Sequence, residues 1–92
     1  MFSIHFISTA QNKVVGTVID ATTGETVIGA SIVRQDDPTK GTVTDYDGAF
    51  EINLPTLPVT LLVTYIGYKD VEYTVTAPGK VEIKMGEEPL TI

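Results

Sequence analysis

The chain has 92 residues, no cysteine and a formal net charge of −6. That length holds one domain with a modest core, and the lack of cysteine excludes disulfides and thiolate metal sites. Its six basic residues are scattered singly, which disfavours nucleic acid and anionic membrane surfaces as partners.

The chain opens with MFSIHFISTA, an apolar stretch that turns small and polar. Ser8 and Ala10 fit the small positions of an A-x-A-like cleavage site, so residues 1–10 are expected to be a signal-peptide remnant, with Gln11 starting the mature chain. The alternative is a short first strand packed on the core. The stretch is too short for a transmembrane helix, and no direct membrane insertion is expected.

From Lys13 onward the pattern predicts strands. KVVGTVID (Lys13–Asp20) is rich in β-branched residues and runs into the turn cluster ATTGE. GASIVRQ (Gly29–Gln35) follows, then the polar break DDPTK, then GTVTD (Gly41–Asp45) and AFEINL (Ala49–Leu54). PTLP separates these from VTLLVTYI (Val59–Ile66), the most apolar run and the expected central strand. KDVEYTVT (Lys69–Thr76) and KVEIKM (Lys80–Met85) alternate around the turn APGK, with Val71, Tyr73, Val75, Val81, Ile83 and Met85 facing inward. Seven short strands bounded by turn signals predict an all-β protein, a β-sandwich. The expected core includes Val18, Ile32, Phe50, Ile52, Leu61, Val63, Val71, Val75, Val81 and Ile83. The pattern G-T-V-x-D occurs twice, ending at Asp20 and Asp45, and reads as a strand running into an aspartate-started turn. GEEPLTI (Gly86–Ile92) loses the alternation. The domain is therefore expected over residues 11–86, with 87–92 a linker to a downstream region or a peptide ligand for a neighbouring domain.

The stretch TDYDGAF, residues 44–50, is the one place where chemistry could be sought. Asp47-Gly48 between strands is a hairpin signal of type I′, which requires positive φ at both central residues. Asp45 can cap its own turn by accepting a backbone N–H two residues on. A calcium loop needs more oxygen ligands at alternating positions and a closing glutamate, and Glu51 comes too early for that. A turn is the expected reading, with a cation at Asp45 and Asp47 the lesser alternative. His5 is the only histidine and falls in the suspected leader, so no nucleophile–histidine pair is expected in the mature chain. No catalytic residue, cofactor or metal is therefore expected. Tyr65 and Tyr73 fit inward positions, whereas Tyr46 sits at a turn and is the better contact residue. Loops carry function on rigid scaffolds, so Asp36, Asp37, Lys40 and Tyr46 are the expected partner-contact residues. Exposed sheet edges, or a retained N-terminal stretch adding as a strand, would allow self-association.

In combination, GTVIDATTGETVIGASIV, GTVTDYDGAFEI and LLVTYIGYKDVEYTV resemble the carboxypeptidase regulatory-like domain of bacterial envelope proteins. The resemblance covers Val14 to about Met85. It implies a seven-stranded, transthyretin-like (Ig-like) β-sandwich. Gly29, Asp45, Asp47, Gly48, Phe50, Tyr65, Gly67 and Tyr68 would be its structural motif residues. The variety most similar is the N-terminal extension of SusC/RagA-type TonB-dependent outer-membrane transporters, and STAQNK at residues 8–13 fits a leader ending in AQ. This implies a non-enzymatic periplasmic accessory module in glycan or peptide uptake, partnered by a downstream plug and barrel or by other envelope proteins. The alternative is a carbohydrate- or protein-binding accessory sandwich of another envelope protein or surface enzyme.

Overall fold

The computed structural model describes residues 12–88. The leader-or-first-strand alternative, His5 and residues 89–92 of the tail lie outside the described residues. Strand β1 (Asn12–Asp20) realises the alternation: Val14, Gly16, Val18 and Asp20 are buried, and Val15, Thr17 and Ile19 half-buried on its other face. It is followed by β2 (Ser31–Arg34), β3 (Gly41–Val43), β4 (Ala49–Leu54), β5 (Val59–Thr64), β6 (Val71–Val75) and β7 (Gly79–Met85).

The seven strands form two sheets, β4-β1-β7 and β3-β2-β5-β6. The apolar run that predicted a central strand is β5, which lies between β2 and β6, antiparallel to both. β1 is antiparallel to β4 and parallel to β7. Period-2 alternation sends one face of each strand inward, where the two sheets share a single core. Val14, Val18, Ile32, Leu61 and Val63 are fully buried there, with Ile83 and Met85 from β7. Burying one such side chain contributes roughly 1.5–3 kcal/mol, so the alternation in the sequence is the main cause of the fold. Val71 and Val81, expected in the core, are half-buried and pack against its margin. Val27, Ala30, Leu54 and Val59 join it instead; Val27 and Ala30 come from the loop before β2, which carries no alternation.

Gly16 shows how closely the three-stranded sheet packs. It pairs with Phe50 on β4 and Val81 on β7. A Cβ at Gly16 would stand 2.6 Å from the Phe50 ring and 2.7 Å from Val81 Cγ2. The glycine therefore leaves the space that the ring of Phe50 fills.

Two of the four edge strands, β3 and β7, carry protection against pairing with other chains. β3 is three residues long, and the exposed side chains along β7 are Lys80, Glu82 and Lys84. Short and charged edges oppose edge-to-edge association.

The registers define two ends. The chain enters at Asn12, beside the end of β4; the loops 35–40, 55–58 and 76–78 lie at this proximal end. At the distal end lie the long loop after Asp20, the turn 44–48, the loop 65–70 and the exit at Gly86–Glu88.

Candidate functional site

The distal end is where side chains and backbone groups converge. Asp20, the last residue of β1, is buried, with 4% of its surface exposed. Its Oδ1 accepts the backbone N–H groups of Thr22 at 2.7 Å and Thr23 at 3.0 Å, and its Oδ2 accepts the Tyr68 hydroxyl at 2.8 Å. These donors, Thr23 first and then Tyr68 and Thr22, hold the carboxyl below the ordinary carboxylate range. The same bond, with burial second, pushes the Tyr68 phenol up to about 12. A buried carboxylate is tolerable because each oxygen has a donor. Asp20 thereby ties the end of β1 to the loop after β5.

Thr44 makes a second tie. Its buried hydroxyl donates to the Val27 carbonyl at 2.6 Å and accepts the Ala30 N–H at 2.8 Å. Tyr68 and its neighbours hold the exit: Lys69 N–H donates to Gly86 O at 2.9 Å, and Glu88 N–H to Gly67 O at 3.0 Å. Glu87 forms a bridge with Tyr68, so residues 87 and 88 remain attached to the sandwich beyond the boundary expected at 86.

Asp45-Tyr46-Asp47-Gly48 is a turn in which Gly48 N–H donates to Asp45 O at 2.9 Å. Asp45 Oδ1 accepts the N–H of Asp47 at 2.9 Å and of Ala49 at 3.0 Å. Only Gly48 has positive φ, at 70°; no residue other than glycine does among those described. The turn is therefore not the expected type I′, which would need Asp47 there as well. Tyr46 and Asp47 stay in the ordinary region and the glycine alone takes the left-handed position. Nor is it a simple hairpin, because β3 and β4 belong to different sheets; it is the corner where the chain changes layer. Gly48 is buried, and a Cβ on it would stand 2.6 Å from Thr26 Cβ and 3.0 Å from the Val18 carbonyl oxygen.

The two G-T-V-x-D segments do share their turn chemistry: Asp20 and Asp45 each accept the N–H two residues on. Only Asp20 is buried, and it was not singled out in the sequence; the repetition was the signal that could have found it. No group of three or more histidine, cysteine, aspartate or glutamate side chains placed to hold a metal occurs among the described residues.

The other expected residues fall in several places. Phe50 is in the core. Gly29 (φ 82°) lies in the loop before β2 and Gly67 (φ 88°) in the turn between Tyr65 and Tyr68. The Tyr65 and Tyr68 rings lie 6.0 Å apart, tilted by 45°. Tyr65, expected inward, is 37% exposed, because β5 ends at Thr64 and the alternation ends with it. Tyr73 packs against the core. The four expected contact residues are not one surface. Asp36, Asp37 and Lys40 lie in the proximal loop, whereas Tyr46 lies at the distal end, since β2 and β3 run antiparallel between them. Asp36 is engaged by Arg34, whose Nε and Nη2 donate at 3.0 and 2.7 Å; this pair holds the Asp36 carboxyl below its usual range. Asp37 accepts the Thr39 hydroxyl at 2.6 Å, which lowers its carboxyl likewise.

A shallow cleft crosses the β4-β1-β7 sheet beside the end of β3, lined by Val15, Thr17, Thr42, Val43, Glu51 and Lys80 among others. Its aromatic residue, Phe50, is 5% exposed, so the ring is spent on the core and not offered to a sugar face. Asp20, Asp36, Asp37 and Asp45 are spent in the same way, on turns and an ion pair.

These features define a class, a small β-sandwich module whose polar side chains fix loops. Within it, the chain belongs to the CarboxypepD_reg-like domain family, whose pattern it matches over residues 14–91. It shares 38% identity over 81 residues with the TonB-dependent receptor SusC of Bacteroides thetaiotaomicron, covering 88% of this chain. The chain spans 8% of the length of that receptor. Among solved structures, it is similar to a chain of a type II cohesin–X-dockerin complex from Acetivibrio cellulolyticus (TM-score 0.63, 26% identity, 83% of this chain and 58% of that one). It is also similar to the shaft pilin SpaA of Lactobacillus rhamnosus GG (TM-score 0.59, 14% identity, 89% of this chain and 48% of that one). The pilin likeness is one of fold alone.

Proposed function

We propose that this domain is a non-catalytic accessory module of a TonB-dependent receptor that takes up glycans or peptides, working on the periplasmic face of the outer membrane. The observation that carries the reading is the identity with SusC, which extends across the sandwich. The chemistry of the domain is consistent with it. Of the carboxylates that resemble a site in the sequence, Asp45 caps its turn, Asp36 pairs with Arg34 and Asp37 accepts from Thr39, and the surface hollow beside Asp45 is shallow. The role is then one of holding and positioning, with plug and barrel as partners in the same polypeptide. Contacts through a tether need little intrinsic affinity, because linkage raises the effective concentration. Residues of the exposed loops, Tyr46 above all, are the proposed contacts. Deleting residues 12–88 from the receptor tests the reading. Loss of uptake with the barrel still assembled supports it. Unchanged uptake, or hydrolytic activity in the isolated domain, rejects it. The likeness to a chain of a cohesin–X-dockerin complex favours a second reading, a protein-binding sandwich of another envelope assembly.

A further inference from the structure

All the large hydrophobic side chains that are exposed among the described residues lie towards the distal end: Ile28, Val43, Tyr46, Tyr65 and Ile66. Tyr46 and Ile66 are almost fully in solvent, at 88% and 89%. Ile28, Tyr46 and the pair Tyr65–Ile66 come from three separate connections, and Val43 ends β3, so no single strand pattern explains their exposure. Ile28 and Tyr46 line one shallow hollow with Thr44 and Asp45. Gly29, next to Ile28, faces the Tyr65 ring, 3.8 Å from the position a Cβ would take. The patch thus continues from the corner turn across to the loop after β5. Beneath it, the Asp20–Tyr68 and Thr44 hydrogen bonds hold the contributing loops, so the surface is built before any partner arrives.

The charge around this patch is mostly acidic. Glu25, Asp45, Asp47, Asp70, Glu87 and Glu88 are exposed in the distal loops and exit, against Lys69. A second copy docked face to face would set one acidic rim against another, and an anionic lipid surface would be repelled likewise. The matching surface is apolar at its centre and carries lysine or arginine around it. The chain itself leaves the sandwich beside the patch, with Glu88 bonded to the Gly67 carbonyl, so whatever follows in sequence is delivered to this end.

We infer that the distal patch of Ile28, Tyr46, Tyr65 and Ile66 is a docking surface for a basic-rimmed, apolar protein surface in the following part of the same polypeptide. This rests on the receptor reading above and assigns the contact to one end of the domain. Isolated aromatic and aliphatic anchors inside a polar rim are the usual centre of such a contact.

The test places a photo-crosslinking side chain at Tyr46 or Ile66 in the receptor, and at Thr39 or Thr56 of the proximal end as comparison. Cross-links from Tyr46 and Ile66 are expected at one site of the same polypeptide, flanked by lysine or arginine, and not from Thr39 or Thr56. With the probe at Tyr46, Ile28→Ser with Ile66→Ser is expected to lower the yield by about fivefold or more, and high salt lowers it further. Both isoleucines are exposed, so the fold is kept; an unchanged melting temperature verifies this. Equal labelling from both ends, products between two copies, lipid adducts or no product each overturn the inference. If deletion of the domain leaves uptake unchanged while these cross-links form, the receptor role fails and the surface stands. If deletion abolishes uptake and the cross-links are absent, the surface fails and the role stands.

Discussion

Replacing Gly48 by alanine separates two costs that usually arrive together. The residue sits at φ 70°, where an L side chain costs about 1–2 kcal/mol. Its new Cβ would also meet Thr26 Cβ at 2.6 Å, roughly 1 Å inside ordinary carbon contact, and overpacking of this kind costs about 1–3 kcal/mol. The sum is about 2–5 kcal/mol. Gly24 and Gly67 have φ of 77° and 88° with nothing within 4 Å of the added Cβ, so alanine there meets only the conformational part, about 1–2 kcal/mol. Urea unfolding of the three variants, read by circular dichroism, gives the comparison. A loss of 1 kcal/mol lowers the melting temperature of a domain this size by about 4–8 °C. Adding Thr26→Gly to Gly48→Ala removes the nearest obstruction, and the double-mutant cycle is expected to show coupling of about 1 kcal/mol. Equal losses at Gly24, Gly48 and Gly67 refute the reasoning, because the close approach at the corner would then contribute nothing.

Gly16→Ala has no φ penalty and is expected to cost about 1–3 kcal/mol through the Phe50 ring; Phe50→Leu in the same chain should cost less than additively, as a double-mutant cycle in urea will show. The Asp20–Tyr68 bond sets two pH limits on stability. The folded Asp20 carboxyl lies below 3.8, so its contribution is present above that value and is lost as pH falls through the folded value. The Tyr68 phenol is raised from 10.0 to about 12, so its contribution is present below 10.0 and is lost as pH rises towards 12. Tyr68→Phe is expected to abolish a late ionisation near 12 in an ultraviolet titration and to flatten the alkaline limb of melting temperature against pH. Calcium is expected to leave the melting temperature unchanged in both the parent and Asp47→Asn; a rise that the substitution abolishes would make the corner turn a cation site.

Strand existence was legible because burial and alternation coincide. Val14 through Val18, Ile52 and Leu54, and Leu61 and Val63 each alternate against polar or half-buried neighbours, and a slip of one residue would expose the whole set. What was not legible depends on pairing between distant segments. Nothing local says that β3 and β4 lie in different sheets, so Asp47-Gly48 read as a hairpin. Tyr65 continues the alternation of β5 in the sequence, but the strand ends one residue earlier. The patch at the distal end was visible only as Tyr46, since Ile28 and Ile66 look like ordinary core residues until their loops are placed. Asp20 resembled any turn aspartate; its tie to Tyr68 spans 48 positions, a separation that spacing rules do not reach.

The parallel pairing of β1 with β7 also has a mechanical consequence. The first strand enters at one end of the sandwich and the last leaves at the other, side by side, with register from Val14↔Gly79 to Asp20↔Met85. Tension applied through the two termini pulls these neighbours past each other along their length. The rungs of the ladder are then loaded together in shear instead of being peeled one at a time, so the pair that closes the fold is also the clamp that resists extension.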